Sequence, residues 1–370
     1  MLKKMVSILV AAVMMSSLLS GCLSAKKAPE TTGKPASDTT QAEAEKQPAA
    51  EKQPEAEKQP AAQKQVIKIS FGSGDTHPTT KTIREYAKKV DEKTNGKYDI
   101  QIFTNATLGD DLRATEAVKA GMLDAVVTST APVGGIIKEI MIFDLPFLFS
   151  SGEVADTILS GPVAKDLEQK MAEKDLLCIA WYENGFRNLT NSVREIKAPA
   201  DIKGLKIRTM ENPIHLAAWK QLGANPTPMP FSEVFTALQQ RVVDGQENPV
   251  PTIFDAKFNE VQKYITLTGH IYSPYLFLFS KKLFEKLPEE DQKIFMDIAK
   301  ETESLNRQLA RDAVKANLEE MAKKGIIVTE LTAEQKKVFQ DTLMPVWDQF
   351  SEKIGKDIVD KMKAELAKIK

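Results

Sequence analysis

The chain has 370 residues, with 50 Lys and Arg against 51 Asp and Glu, for a formal net charge of −1. Acids and bases are interspersed, and the absence of a basic block or an interleaved basic-aromatic run argues against a nucleic-acid partner. Two cysteines exclude a disulfide scaffold, so stability must come from a core, and the length allows one or two domains of ordinary size.

In chain order, residues 1–21 read as a signal peptide. Lys3 and Lys4 form a positive start, and Met5 to Leu19 is apolar but too short to span a bilayer comfortably. The run ends in Leu19-Ser20-Gly21-Cys22, which looks like a bacterial lipobox; cleavage before Cys22 would leave that cysteine to carry a lipid. The alternative is an uncleaved anchor. Residues 22–65 then form a tether. Glu-Lys-Gln-Pro recurs at Glu45, Glu51 and Glu57, and the prolines block a continuous helix. Balanced charge without aromatics predicts a disordered linker, with a span on the order of 35–40 Å as a flexible coil.

From Val66 the pattern is strand, helix, strand, helix, strand. Ile67, Ile69 and Phe71 alternate as on a strand; Ile83, Ala87 and Val90 recur at helical spacing up to a stop at Asn95-Gly96. Tyr98, Ile100 and Ile102 alternate again. Asp110 begins a helix that Gly121 closes, and Leu123 to Val127 reads as a buried strand. This order predicts a mostly parallel sheet with helices on both faces. Leu176 to Ala180 is a further apolar run in which Cys178 reads as a small buried hydrophobe. Around Asp201 the pattern restarts, with a strand at Leu205 to Thr209 and a helix from about Pro213 to Leu222. Two α/β units of similar style suggest two lobes.

The next stretch, Pro226 to Pro249, is distinctive. Pro226, Pro228 and Pro230 hold the backbone extended. Ser232 is placed to cap a helix, with Glu233 in its first turn and Val234, Ala237 and Leu238 as its apolar stripe. Asp244-Gly245 suits a turn, and Asn248 sits just before another proline. A rigid lead-in, a short helix and a turn presenting amides would place polar groups around something small; a plain helix between loops is the other reading. Strands near Tyr264 to Leu267 and Tyr275 to Phe279 follow. From Glu289 to Lys324 there is neither proline nor glycine, with Ile294, Ile298, Leu305, Leu309 and Leu318 near one stripe. One helix of that length would approach 50 Å at about 1.5 Å per residue and could cross between lobes; the alternative is two helices with a kink.

Enzyme motifs are thin. The three histidines, His77, His215 and His270, lie far apart, and there is no HExxH pair, no Gly-x-Ser-x-Gly elbow and no P-loop. Each histidine reads as a surface or hydrogen-bonding residue. Arg208 ends an apolar strand, where its guanidinium would project into the crevice at the carboxyl edge of the sheet and match a carboxylate with two parallel hydrogen bonds. Arg187 follows Asn184-Gly185-Phe186 after another apolar strand. Either arginine could instead pair with a protein carboxylate.

PTPMPFSEVFTALQQRVVDGQENP, with KGLKIRT, NGFRN and DLPFLF upstream, resembles the solute-binding proteins of TRAP transporters, the tripartite, ion-gradient-driven importers of organic acids. The resemblance runs from Val66 to about Ile358 and includes Leu108-Gly109-Asp110, Gly121-x-Leu123-Asp124, Leu145-Pro146-Phe147, Gly185-x-Arg187 and Asp244-Gly245-Gln246-Glu247-Asn248 in order. It implies an α/β fold of the two-lobed periplasmic-binding-protein type, with hinge strands and a long helix shared by both lobes. Residues 66–184 plus 274–313 would form lobe I, and 185–273 plus 314–370 lobe II. It implies that Arg208 forms the salt bridge to a substrate carboxylate, that Arg187 beside Asn184 assists, that Asn248 hydrogen-bonds the ligand and that Phe231 packs on it. Ser73 to His77 and Asp111 would line the other lobe. Sialic-acid-binding relatives have a glutamate where this chain has Ser129, which leaves a smaller or differently substituted acid.

The function so implied is capture without catalysis: a lipid-anchored, extracytoplasmic monomer at the outer face of the cytoplasmic membrane or in the periplasm, handing an organic acid to a small and a large TRAP membrane subunit. No cofactor is expected, and no ligand cluster demands a metal. The rivals are a binding protein that presents ligand to a sensor and an exported enzyme acting on a small organic acid.

Overall fold

A computed structural model describes residues 64–369; the expected signal peptide, Cys22 and the expected tether up to residue 63 lie outside the described residues, and Gln65, placed at the tether's end from sequence, opens the first strand. The strands are β1 (Gln65–Phe71), β2 (Tyr98–Phe103), β3 (Ala125–Ser129), β4 (Leu176–Asn191), β5 (Lys206–Thr209), β6 (Asn225–Pro228), β7 (Gly245–Pro249), β8 (Tyr264–Leu267), β9 (Tyr272–Ser280) and β10 (Ile327–Glu330). The helices are α1 (Pro78–Lys93), α2 (Asp111–Ala120), α3 (Thr130–Val133), α4 (Gly152–Leu159), α5 (Pro162–Ala172), α6 (Pro213–Gln221), α7 (Val234–Gln239), α8 (Val250–Asp255), α9 (Lys281–Phe284), α10 (Glu289–Lys323), α11 (Ala333–Leu343), α12 (Pro345–Ile354) and α13 (Lys356–Leu366). Among the described residues no helix is long and apolar enough to cross a membrane.

The sheet runs β2-β1-β3-β9-β4-β7-β5-β6, with β8 and β10 branching from β4. Parallel pairing holds within β1, β2 and β3, and again within β5, β6 and β7. There the expected α/β crossovers apply: α1 carries the chain from β1 to its parallel neighbour β2, and α2 carries it past β1 to β3 on the other side. The expectation of a mostly parallel sheet fails at the centre, where β9 runs antiparallel to both β3 and β4, and β4 antiparallel to β7 and β8. No crossover helix is needed there, because β4 belongs to both halves. Its first part pairs with β9 and its last five residues with β7. The ladder slips between Glu183 and Gly185, and Gly185 takes φ 114°, a conformation that a side chain would strain. The glycine of the Gly-x-Arg motif thus lets the strand turn from one sheet to the other.

The uninterrupted stretch after Glu289 is one helix, 35 residues long. It packs on α1 and β4 near its start and on α8 and β10 towards its end, so it spans both halves. Ile298 is buried with Phe295 and Ala299, but the middle of the buried face is polar: Thr302, Glu303 and Asn306. The cause lies in β4. Glu303 Oε1 accepts from the Trp181 amide at 3.0 Å and Asn306 Oδ1 from the Glu183 amide at 2.6 Å, satisfying backbone donors along the irregular part of the strand.

The distinctive stretch differs from its sequence reading in two respects. The prolines do give an extended segment, β6, at the sheet edge, where a missing N–H does no harm. Ser232, however, makes no capping bond; it sits within a single 3-10 turn, Phe231–Glu233, that leads into α7. The expected amide-presenting turn after α7 is instead the buried strand β7. A Cβ on Gly245 would lie 2.1 Å from the Thr190 carbonyl oxygen, so only glycine lets β7 approach β4 there. Cys178 is buried, as its apolar setting suggested, and has no disulfide partner among the described residues.

Candidate ligand-binding site

A cavity lies between the two halves, at the carboxyl ends of the parallel strands, with about 530 Å³ of empty space including part open to solvent. One wall comes from the end of β1 (Phe71, Gly72, Ser73), the start of α2 (Asp110, Asp111, Leu112), Ser129 and Tyr275. The other comes from Arg187, Asn184, Arg208, Met210, the Met229-Pro230-Phe231 segment, Asn248 and Thr252. Of the eight binding residues expected from sequence, the cavity gathers Arg208, Arg187, Asn248, Phe231, Asp111, Ser129 and Asn184; His77 stands behind its wall.

Arg208 is 2% exposed. Its Nε and Nη2 donate to the Met229 carbonyl at 3.0 and 2.6 Å, and its Nη1 has no partner. Among the described residues it forms no salt bridge. Burial pushes its pKa down to about 10 against the pull of Glu247, Asp111 and Glu211, so it stays a cation at neutral pH. The prolines matter here. They hold β6 beside β5, with the Met229 amide on the Thr209 carbonyl at 3.2 Å, and this fixes the carbonyl that aims the guanidinium.

Arg187 is fully buried and does pair with a protein carboxylate. Its Nε donates to Glu247 Oε2 at 2.5 Å and its Nη2 to Oε1 at 2.9 Å, while Nη1 lacks a partner. Glu247 also contacts His270 Nε2 at 3.2 Å and His215 Nδ1 at 3.7 Å. Burial alone would push the Glu247 carboxyl up, but Arg187 and the two histidines hold it well below the usual range. His215 Nε2 in turn meets Asp144 Oδ1 at 3.0 Å, and Asn212 donates to Asp144 Oδ2 at 2.9 Å. Burial would push His215 down, but the two carboxylates raise it; burial lowers His270. This buried network fixes the Arg187 side chain from behind.

The remaining groups are more fully engaged than the sequence suggested. Asn248 Oδ1 accepts from Arg187 Nη2 at 3.1 Å, and its amide donates to Gln246 at 2.6 Å. Asn184 accepts from Thr252 Oγ1 at 3.0 Å. Ser129 Oγ lies 3.3 Å from Asp111 Oδ2 and 3.4 Å from Met210 Sδ. Phe231 is partly buried, edge-on to Phe258. His77 Nδ1 accepts from the Thr79 amide and caps α1, while Nε2 bonds Thr252 Oγ1 at 3.1 Å and the ring packs edge-on against Phe71 and Tyr275. Burial lowers its pKa to about 4. Glu247, the Met229 carbonyl, Tyr275 and Thr252 were not singled out from sequence. A charged residue inside Gln246-Glu247-Asn248 was the only local hint.

The halves also touch at the rim. Asp255, at the end of α8, accepts from the Gly74 amide at 2.7 Å and from Thr76 Oγ1 at 2.5 Å, both in the loop after β1.

The family model for bacterial extracellular solute-binding proteins of family 7, DctP, matches residues 70–353. A solute-binding protein of Verminephrobacter eiseniae is 42% identical over 298 residues, 80% of this chain and 88% of that protein. The 2,3-diketo-L-gulonate-binding periplasmic protein of Escherichia coli is 35% identical over 280 residues, 75% of this chain and 84% of that protein. The crystal structure of a sugar acid binding protein from Advenella mimigardefordensis in complex with galactonate is 38% identical and superposes with a TM-score of 0.81, covering 82% of this chain and 98% of that one. The chain belongs to the DctP family, the extracytoplasmic solute-binding proteins of TRAP transporters, which are binding proteins and not enzymes.

Proposed function

We propose that this protein captures a small organic acid in the cavity through a salt bridge between Arg208 and the ligand carboxylate. The observation that carries the reading is the state of Arg208: a buried guanidinium in the cavity wall which, among the described residues, has no carboxylate partner and an unpartnered Nη1. An isolated buried charge is costly, and an anionic ligand removes that cost. The two relatives named for a ligand support it, since diketogulonate and galactonate both carry a carboxylate.

In this reading the free Nη1 of Arg187, whose Nε and Nη2 are held by Glu247, reaches the same carboxylate. Asn248 and Phe231 complete that wall, while Asn184, Ser129 and Asp111 meet the rest of the ligand. His77 supports the wall through Thr252. Lobe I (66–184 plus 274–313) and lobe II (185–273 plus 314–370) close around the acid, and the closed form docks on the small and large TRAP membrane subunits. A lipid on Cys22 and the tether of residues 22–65 keep it near them. A ligand shifts the open–closed balance only by its difference in affinity for the two forms, so contacts from both walls are required.

A thermal-shift screen against organic acids tests the reading. An acid at a hundred times its dissociation constant should stabilise the protein by roughly 2.7 kcal/mol. No stabilisation by carboxylates of any class would contradict it.

A further inference from the structure

The cavity wall carries more negative than positive side chains. Its cations are Arg208 and Arg187, and Arg187 is already neutralised by Glu247. Arg208 is then the one cation of the wall with no salt-bridge partner among the described residues, which suits one carboxylate. From the other half, Asp111 lines the same cavity, and among the described residues it forms no ion pair with either arginine. Asp111 is the first residue of α2, where helix N-terminal amides favour a negative charge. Ser129 Oγ lies against its Oδ2, and Oδ1 lies over Gly72, where a Cβ would stand only 2.9 Å away. The carboxylate is therefore seated by its neighbours at the cavity wall. Burial pushes its pKa up, opposed by Ser129, Thr128 and Arg208. The wall's other carboxylates, Asp110 and Glu211, bring no cation to this side, and its further hydroxyls, Ser73, Thr252 and Tyr275, are neutral.

We infer that the ligand is a polyhydroxylated monocarboxylate, and that Asp111 is the residue that accepts a hydrogen bond from one of its hydroxyls and excludes a second carboxylate. The inference rests on Arg208 taking the first carboxylate. The chemistry is complementary at both ends. A hydroxyl donates to Asp111, and the neutral hydroxyls around it give and take bonds with a polyol. A dicarboxylate would place its second anion beside Asp111 with no cation to balance it, and like charges brought together across a desolvated contact are strongly disfavoured. An acid without hydroxyls would cover Asp111 and leave it only its bond from Ser129, the kind of mismatch by which hydrogen-bonding sites reject analogues.

The test is calorimetry on the full-length protein with matched pairs that differ only in the terminal group: gluconate and glucarate, galactonate and galactarate, erythronate and meso-tartrate, together with succinate and adipate. At least one hydroxylated monocarboxylate should bind, with its diacid partner about 100-fold weaker or worse. Asp111→Asn, which keeps the shape and removes the charge, should weaken the monocarboxylate about tenfold and narrow the gap to the diacid. A dicarboxylate that binds as tightly as every hydroxylated monocarboxylate overturns the inference while leaving the Arg208 reading intact. An unchanged ratio in a folded Asp111→Asn variant also overturns it. If no acid in the panel binds but a carboxylate of another class does, the inference is overturned and the Arg208 reading stands; if no carboxylate of any class binds, both fall. The wild-type comparison decides the question even where the variant does not fold.

Discussion

At the scale of single residues, the cavity is built by burying charge and then choosing which charges to leave unmatched. Arg187 and Glu247 satisfy each other; Arg208 does not find an acid. The same burial acts on His77, whose pKa falls from the ordinary 6.5 to about 4. The unfolded chain takes up this proton near pH 6.5 and the folded one only near pH 4. The stability is therefore complete above pH 6.5 and is lost as pH falls through that window. The loss is on the order of 3 kcal/mol for this group. His270 acts in the same direction and His215 in the opposite one. Urea unfolding at pH 7, 6, 5 and 4.5 should show the decline, and His77→Gln should flatten it. An equally steep profile in the variant would remove His77 from the account.

At the scale of elements, the sequence was most legible where the chain's own neighbours decide the structure. The prolines announce β6, Asn95-Gly96 ends α1, Asp110 and Gly121 bound α2, and the breaker-free run after Glu289 is α10. It was least legible where partners come from afar. Gln246-Glu247-Asn248 looks like a polar turn, yet it is a buried strand, because Arg187, Thr190, His215 and His270 supply its partners from distant segments. Likewise, of the stripe expected on α10 only Ile298 is buried, with Ile294, Leu305, Leu309 and Leu318 half-buried, because the buried face is shared with polar residues such as Asn306, which serves an amide of β4. Asn306→Ala leaves the Glu183 N–H without its acceptor and should cost about 1–3 kcal/mol. Chemical denaturation measures it; a variant as stable as the parent would show that water or a shifted backbone takes over.

For the whole molecule, function depends on two halves joined by β4, β9 and α10 and meeting across the cavity. Arg208 could be singled out in advance because a guanidinium at a strand's carboxyl end projects into the crevice, and it does line the cavity. The clasp at Asp255 could not, since Gly74 and Thr76 lie nearly two hundred residues away in sequence. Removing it favours the open form, and the apparent affinity falls with the fraction of protein able to close. Asp255→Ala should weaken ligand binding about tenfold by calorimetry; an unchanged constant would mean that the clasp does not stabilise closure.

The central claim is that Arg208 binds the ligand through a carboxylate. Isothermal titration of Arg208→Ala with the acid that most stabilises the parent protein tests it most directly. A loss of about 2–5 kcal/mol is expected, because the ligand anion would be buried without its partner. Unchanged affinity in a folded variant would contradict it.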